Sequence, residues 1–493
     1  MNSFVNNLIQ NTNFTETENG AIAHSTTQSS VLDLFALGGA YRNRSEEDCR
    51  ILFGRAYSED KKNALKCLFY LRDVRGGQGE RRFFRICYKY LTEIDPTVAL
   101  LNLPDIPSYG RWDDVIDLID SPISYSVLTY ISCQLHADIE NFFSEKPISL
   151  LAKWLPSENA SSIETKRKAK QIRKALCFSS KQYRKTLSLL RKRLNVVEKA
   201  MSNNDWDAID FATVPGKASF NYAHVFSTRE ETKEKYSLFI EEAKKNNQLK
   251  TETLYPYEIV NKVIKTKDKQ QYDIFNTYWE SQKDFLSGIS DNAICVCDTS
   301  GSMTWAAYNR VAPIAVAISL SLYCAERLNG DFKNKYISFS ETPQLVDVAG
   351  GTFSDKVNYI YKKTINARNT DLVKVFDLLF DVAKHSKKED IPKYIIVISD
   401  MEIDEGLEIS KDNLTTIENA FEKKWKDAGL NCPKVIYWNV EARNNIILDL
   451  SSGVSYVSGC SPMLFKQILS GKSGYELMLE VIGSSRYNQI IIE

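Results

Sequence analysis

The segment DNAICVCDTSGSMTWAAYNR, residues 291–310, decides the fold class of the second half of the chain. Its apolar run AICVC is short, bounded by polar residues and typical of a buried β-strand. Asp298 stands at the carboxyl end of that strand, and Ser300 and Ser302 follow in alternate positions. Three oxygen-bearing side chains on one loop predict a site that holds a ligand.

Three further short apolar runs follow the first, and segments with helical periodicity separate them. The runs are KYISF (335–339), YIIVIS (394–399) and KVIYW (434–438). Strands that are apolar on both faces and alternate with helices favour a parallel sheet covered by helices on each side, which is the doubly wound α/β class. Ligands of such sheets bind beyond the carboxyl ends of the strands, where Asp298 falls.

Residues 31–285 have a different pattern. Segments such as RRFFRICYKYLTEI (81–94) and YSVLTYISCQLHADIENFF (125–143) repeat apolar residues at three- and four-residue intervals, which indicates amphipathic helices. Short breaks with Gly, Pro or Ser separate the helices, so we predict stacked helical hairpins. The sequence therefore predicts an α + α/β protein with a polar tail or arm over residues 1–30, a helical-repeat domain over 31–285 and a doubly wound domain over 286–493.

The composition excludes several classes of protein. The chain of 493 residues carries 63 basic and 63 acidic side chains, which argues against a strongly basic nucleic-acid carrier but allows local patches. Its ten cysteines form no CxxC pair and it has four histidines, so a zinc framework is not expected. The start of the chain lacks the pattern of a signal peptide, and the apolar stretch at 311–325 is too short to span a bilayer. We expect a cytoplasmic protein, a monomer without a membrane partner.

Two further predicted loops could complete a cation site at the end of the first strand. The strand YIIVIS is followed by Asp400, and the segment ARNTDLVK (367–374) places Thr370 at the start of a helix with Asn369 as its cap. Asp371 is an alternative ligand to Thr370. Small, hard oxygen ligands suit Mg²⁺, which keeps several waters. We predict that Mg²⁺ or another divalent cation is held by these residues: Asp298, Ser300, Ser302, Thr370 and Asp400.

A purely structural interpretation competes with this site. The pentapeptide DTSGS also fits a turn in which hydroxyls bond to backbone amides. Asp400 could likewise cap the element that follows its strand. The three-part arrangement, in strand–loop–helix contexts, favours the metal site.

The loop Cys297-Asp298-Thr299-Ser300-Gly301-Ser302-Met303 resembles the DxSxS loop of von Willebrand factor A domains. In that family a metal-ion-dependent adhesion site takes a threonine from a second loop and an aspartate from a third. The resemblance implies that Thr370 and Asp400 hold those positions here. From the ligand types alone, the cation would keep an open, electrophilic face that an incoming carboxylate or phosphate could complete.

A strongly basic run lies within the helical region. Residues 166–193, KRKAKQIRKALCFSSKQYRKTLSLLRKR, hold twelve basic side chains and no acidic one, which predicts a surface that tracks a phosphate backbone. Tyr183 and Phe178 could stack on unpaired bases. The alternative is a solvated helix face balanced by acids elsewhere. The predicted RNA-binding residues are Lys166, Arg167, Lys168, Lys170, Arg173, Lys174, Arg184, Lys185, Arg191, Lys192 and Arg193.

Other motifs in residues 31–285 support the predicted helical architecture. The segment YLRDVRGGQGERRFFR (70–85) contains five arginines and the sequence GGQG. Because GGQG lacks the features of a phosphate loop, we predict that it forms a turn between two helices. The order of RDVRGGQGERR, YGRWDD, KWLPS and CDTSGSM is similar to that of a family of uncharacterised plant and viral proteins. The run LLAKWLPS and the stretch at 182–226 resemble the TROVE module of the Ro autoantigen proteins, in which helical hairpins close into a ring that binds RNA and a von Willebrand A domain follows.

Two functional hypotheses follow. The first is a non-enzymatic RNA-binding protein of Ro-like architecture that carries a Mg²⁺-dependent adhesion site. The alternative is a protein-interaction scaffold that captures an acidic partner residue through the metal, without RNA. An enzyme is not expected, because the histidines form no recognisable serine–histidine–acid pattern and no cysteine lies in a nucleophile context.

Overall fold

A computed structural model describes residues 13–246, 249–266, 268–289, 291–305, 311–339, 342–364, 371–404, 417–448 and 455–493. The chain divides into two compact units. The sheet unit comprises residues 1–71, 76–80 and 251–487, and the helical unit comprises 72–75, 81–250 and 488–493.

All β-strands of the described residues belong to the sheet unit. A two-stranded antiparallel hairpin precedes a six-stranded sheet in the order β5-β4-β3-β6-β7-β8, which is parallel except for the edge strand β5. The strands are β1 Phe14–Glu16, β2 Ile22–His24, β3 Ala293–Asp298, β4 Lys335–Phe339, β5 Gln344–Asp347, β6 Tyr394–Ser399, β7 Lys434–Asn439 and β8 Ser455–Ser458.

The α-helices fill much of the remaining described chain. Their bounds are α1 Ser30–Leu37, α2 Glu46–Glu59, α3 Lys61–Arg72, α4 Arg81–Ile94, α5 Pro96–Leu101, α6 Ile106–Tyr109, α7 Trp112–Asp117, α8 Ser124–Phe143, α9 Leu151–Trp154, α10 Ile163–Ala175, α11 Ser180–Arg193, α12 Val197–Ser202, α13 Gly216–Asn221, α14 Ala223–Thr228, α15 Glu230–Asn246, α16 Pro256–Lys265, α17 Tyr272–Glu280, α18 Pro313–Arg327, α19 Phe353–Thr364, α20 Leu372–Ala383, α21 Ile417–Asp427, α22 Phe465–Ile468 and α23 Gly474–Ile482.

The order of the sheet positions its functional edge. From β3 the chain continues to β4 and β5 on one side, and from β6 to β7 and β8 on the other. The carboxyl ends of β3 and β6 therefore lie side by side where the strand order reverses, which is the usual ligand position of an open α/β sheet. Every residue of β3 and β6 is buried, as expected for central strands covered on both faces.

The four strands predicted from apolar runs are confirmed as β3, β4, β6 and β7. Strands β5 and β8 were not predicted from the sequence. β5 has the sequence QLVD and is an edge strand with one buried residue, and β8 has the sequence SYVS with polar ends. Neither carries the apolar run by which buried strands are recognised.

The helical unit confirms the predicted amphipathic helices. In α4 the buried side chains include Phe84, Cys87 and Leu91, and in α8 they include Val127 and Ile131 at four-residue spacing. Such stripes bury one face of each helix and leave the charged face in water. The helix-rich first half of the chain and the mostly parallel sheet that follows it in sequence establish the α + α/β class.

The predicted division into 1–30, 31–285 and 286–493 stays a prediction, because the two compact units group residues by their contacts in space. Residues 13–71, including helices α1 and α2, group with the sheet rather than with the helical unit. Residues 13–24 form an arm on the sheet unit, because the hairpin bonds to the loops that follow β6 and β7. Among the described residues, no helix combines the length and the apolar character needed to cross a bilayer.

Candidate functional site

Asp298 ends strand β3 and is fully buried at the carboxyl edge of the sheet. Its Oδ1 accepts a hydrogen bond of 2.9 Å from the backbone N–H of Ser300, which folds the DTSGS loop against the strand end. Its Oδ2 accepts a hydrogen bond of 2.5 Å from the hydroxyl of Ser399, the last residue of β6. The carboxylate thus joins two of the three predicted loops.

The two serine hydroxyls of the first loop lie next to each other. Ser300 Oγ and Ser302 Oγ are 3.0 Å apart, and a short 3₁₀ turn over Ser302–Thr304 continues the loop. Mg²⁺ holds its ligands at near-octahedral angles, so adjacent ligand oxygens are about 2.9 Å apart. The hydroxyls therefore have the spacing of two neighbouring ligands of one such ion.

Asp400 follows β6 and reaches one of these hydroxyls, that of Ser302. Its carboxylate accepts hydrogen bonds from the Ser302 hydroxyl and, at 3.3 Å, from the backbone N–H of Glu402. Met401 between them has a φ of 67°, which is strained for a buried methionine, and its N–H donates to Ser399 Oγ at 3.0 Å. Ser399 therefore bonds to both carboxylate-bearing loops and fixes their relative position.

The second predicted loop lies only partly within the described residues. Thr370 and Asn369 lie outside the described residues. Asp371 is the N-cap of α20, because its Oδ1 accepts a hydrogen bond of 3.0 Å from the backbone N–H of Lys374. The predicted cap at Asn369 is therefore wrong, and the side chain of Asp371 is committed to the helix end rather than to the site.

Asp298 and Asp400 are neighbouring buried carboxylates whose environment favours positive charge. Burial, and then the charge of nearby Asp400, raise the pKa of Asp298 to about 7. Burial also raises the pKa of Asp400, against the opposing effects of Arg443 and of the hydrogen bonds from Glu402 and Ser302. A proton or a cation stabilises such a pair, since like charges in a low dielectric repel.

Four residues that the sequence did not indicate surround this pair. Arg443 Nη2 donates to Asp400 Oδ2 at 3.0 Å, and its Nη1 forms an ion pair of 2.7 Å with Glu18 of the hairpin. The backbone N–H of Glu18 donates to buried Glu402 at 2.7 Å. Ser399 completes the set. Sequence patterns could not predict that these residues lie close together, because Glu18 is separated from Arg443 by most of the chain.

The described residues contain no group of three or more His, Cys, Asp or Glu side chains that could hold a metal. The donors brought together here are instead two carboxylates, Asp298 and Asp400, and two hydroxyls, Ser300 and Ser302. Neutral hydroxyls beside two carboxylates form an oxygen-only donor set, and such sets suit Mg²⁺, Ca²⁺ or Mn²⁺.

The basic run of the helical unit forms helices α10 and α11. Lys170 and Lys174 are exposed and one turn apart on α10. Lys181, Lys185 and Lys192 are exposed along one side of α11. No ion pair with another described residue involves these five lysines, so their charges face solvent.

Several other members of the predicted RNA-binding set have intramolecular partners. Arg167 forms ion pairs with Asp120 at 2.6 Å and with Glu164, and Arg173 forms one of 2.8 Å with Glu158. Arg191, Lys168 and Arg193 also contact the protein. Arg191 donates to the carbonyls of Ala152 and Leu155, Lys168 lies within 3.9 Å of Asp117, Asp120 and Glu164, and Arg193 donates to the carbonyl of Glu145.

The predicted base-stacking role of Tyr183 is wrong. Its ring is fully buried, and its hydroxyl donates to the carbonyl of Pro156 at 2.9 Å. Tyr183 shares the buried stripe of α11 with Leu187 and Leu190, and this four- and three-residue spacing was visible in the sequence. Phe178 is half-buried and packs edge-on against His136.

The arginine-rich motif of residues 70–85 is largely used within the protein. Its GGQG segment connects α3 to α4, which confirms the predicted turn between helices. Within the helical unit, buried Arg72 donates twice to Asp114, and Arg85 pairs with Asp114 and Asp113 at 2.7 and 2.8 Å. Arg72 and Arg85 therefore form one ion network with the two aspartates of the motif YGRWDD within the helical unit.

Comparison with protein families covers both halves of the chain. Residues 17–124 and 151–287 match the family described as domain of unknown function DUF2828, and residues 292–485 match that described as domain of unknown function DUF7788. The chain is also similar to Uncharacterized protein L728 of Acanthamoeba polyphaga mimivirus, with 27% identity over 529 residues that cover 97% of this chain and 89% of the relative. None of these descriptions includes an activity.

Proposed function

We propose a function for this chain from its sites, since the domains of unknown function DUF2828 and DUF7788 that it matches name no activity. The sheet unit is proposed to be a Mg²⁺-dependent adhesion module that captures a carboxylate of a partner protein and catalyses no reaction. The observation that carries this proposal is the 3.0 Å spacing of the Ser300 and Ser302 hydroxyls beside two buried carboxylates.

The charges of the site fit a divalent cation. Asp298 and Asp400 together neutralise its charge, and Ser300 and Ser302 add ligands without adding charge. Asp298 has both carboxylate oxygens engaged by Ser300 and Ser399, so it would act mainly through water or through its charge. The ion would supply an electrophilic position that an incoming carboxylate can fill.

The loop leaves this position accessible. Gly301 between the two serines is exposed, and a side chain there would meet no atom of the described residues within 4 Å. Trp305 follows the loop with 76% of its surface exposed. Exposed tryptophans are frequent anchors of protein interfaces, so a partner with an apolar group near its carboxylate fits this surface. The resemblance of DTSGSM to the von Willebrand A domain supports the same class of function.

Capture of an acidic ligand tests this proposal. Peptides with a central Asp or Glu, displayed as an array, are probed with the whole chain in Mg²⁺ and in EDTA. We expect binding of acidic peptides in Mg²⁺ that EDTA and the double substitution Ser300→Ala/Ser302→Ala abolish. Thr304→Ala is the matched control, because this exposed hydroxyl of the same loop donates to the Gly301 carbonyl. Equal capture in Mg²⁺ and EDTA would refute the proposal.

A second candidate function, RNA binding by the helical unit, has its own supporting observation. The exposed lysines of α10 and α11 are free of ion pairs with described residues and would follow a phosphate backbone. The resemblance to the TROVE module of Ro proteins adds to this hypothesis. Because the aromatic ring expected to stack on bases is buried, contacts to phosphates would dominate, and sequence preference would be weak.

Salt dependence tests RNA binding. The triple substitution Lys170→Ser/Lys174→Ser/Lys185→Ser is compared with Lys233→Ser/Lys244→Ser/Lys245→Ser, which removes three exposed lysines from α15 of the same unit. With a labelled single-stranded RNA, the first variant should lower the slope of log affinity against log salt by about 2, and the second should change it little. The hypothesis fails if the unmodified chain shows no RNA affinity at low salt.

A further inference from the structure

The N-terminal hairpin is docked beside the proposed cation site. Its turn forms a β-bridge from Gly20 to Asp404, and its second strand forms another from His24 to Ile447. The side chain of Thr17 donates to the Ile403 carbonyl at 2.6 Å. The hairpin is thus attached to the loops that follow both β6 and β7.

Glu18 is the residue through which the hairpin reaches the site. Its Oε2 pairs with Arg443 at 2.7 Å, and its Oε1 accepts a hydrogen bond of 3.2 Å from Asn444. The other end of the Arg443 guanidinium donates to Asp400 Oδ2. One arginine therefore joins a carboxylate of the hairpin to a carboxylate of the proposed cation site.

This position gives Arg443 and Glu18 opposite effects on a bound cation. The positive charge of Arg443 next to Asp400 competes with a divalent ion for the same carboxylate. Glu18 neutralises Arg443 from the other side and so weakens that competition. The backbone N–H of Glu18 also bonds to Glu402, which holds the hairpin in this register.

We propose that the N-terminal hairpin is a part of the cation site and that Glu18, acting through Arg443, sets the affinity of the site for the metal. The inference rests on the proposed function of the sheet unit. Both residues are positioning residues, because neither is placed to touch the ion. By reciprocity, metal binding then tightens the docking of the hairpin by the same factor.

Isothermal titration with Mg²⁺ on the whole chain tests this coupling. Glu18→Gln should weaken Mg²⁺ binding about tenfold, and Arg443→Gln should strengthen it by a similar factor. In the Arg443→Gln background, Glu18→Gln should have little further effect, since its influence passes through the arginine. Glu16→Gln is the matched control, because Glu16 is an exposed acid of the same hairpin.

Hydrogen exchange shows whether a variant acts by releasing the hairpin. The amide of His24 donates to the Ile447 carbonyl at 2.7 Å, so its protection reports docking. We expect Mg²⁺ to slow this exchange in the unmodified chain and in Glu16→Gln. If the unmodified chain binds Mg²⁺ and Glu18→Gln behaves as Glu16→Gln does, the inference alone is overturned. If the unmodified chain binds no Mg²⁺, the proposed function falls and the inference with it.

Discussion

Ser399, the last residue of one central strand, donates a 2.5 Å hydrogen bond to Asp298, the last residue of its neighbour. The same hydroxyl accepts the N–H of Met401 and so holds the turn that carries Asp400. Both residues are buried. A single serine thus connects the two carboxylate loops of the proposed cation site.

We predict that Ser399→Ala destabilises the sheet unit by about 1–3 kcal/mol, because it leaves one oxygen of Asp298 and the Met401 amide without their partner. Hydrogen exchange of the β3 and β6 amides measures this loss. Ser386→Ala is the control, since that exposed hydroxyl bonds only to a helix carbonyl in the same unit. Equal protection in both variants would contradict the assigned role of Ser399.

Asp298 should make stability depend on pH. Its pKa is about 7 in the folded protein and near 4 when unfolded, so the folded state takes up a proton that the unfolded state lacks between these values. Without divalent cations, the stability contributed by Asp298 should therefore be lost, and the melting temperature should fall, as pH rises from about 4 to about 7.

Asp298→Asn isolates this contribution from those of Asp400 and Glu402, whose pKa values burial also raises. The variant should show a smaller fall of melting temperature with pH. Mg²⁺ at about pH 8 should stabilise the unmodified chain and leave the variant unchanged. A variant with the full pH dependence would show that Asp298 does not titrate in this range.

The ion network of the helical unit should be essential for its stability. Asp114→Asn removes the charge that buried Arg72 and Arg85 share, which should cost about 3–5 kcal/mol. Glu164→Gln on exposed Arg167 should cost much less, because solvent screens this ion pair. Hydrogen exchange of the α4 and α8 amides measures the loss of stability in each of the two variants. Similar losses would mean that the buried network is not the main restraint.

Trp305 should matter for partner capture and not for the metal. We expect Trp305→Ala to weaken Mg²⁺-dependent binding of acidic peptides at least about tenfold, as for an interface anchor, with Mg²⁺ affinity unchanged. Tyr475→Ala, at another exposed aromatic of the sheet unit, serves as the control. Loss of Mg²⁺ binding in Trp305→Ala would instead assign the indole a role in holding the loop.

Much of the fold was predictable because its strongest signals are local. The apolar runs of β3 and β6 and the apolar spacing in α4 and α8 are visible in the sequence alone. The short edge strand β5 lacked such a signal, because it buries a single residue. The grouping of residues 13–71 with the sheet depends on contacts over hundreds of residues, which no local pattern reveals.

Part of the candidate site was also predictable from the sequence. Asp298, Ser300, Ser302 and Asp400 follow strands whose ends must meet at one edge, so their proximity followed from the topology. Glu18 and Arg443 could not be found in this way, since neither lies in a motif and their partners are remote in sequence. The prediction for Tyr183 was wrong because an aromatic residue in a basic run suggests base stacking, whereas its spacing places it on the buried stripe of α11.

The central claim is that the loops at the ends of β3 and β6 hold a divalent cation. A crystal structure determined with Mn²⁺, which shares the oxygen ligands of Mg²⁺, tests it most directly through anomalous scattering. We predict an anomalous peak about 2.2 Å from both Ser300 Oγ and Ser302 Oγ. Saturating Mn²⁺ with no peak beside these hydroxyls, and with Asp298 still bonded to Ser300 and Ser399, would contradict the claim.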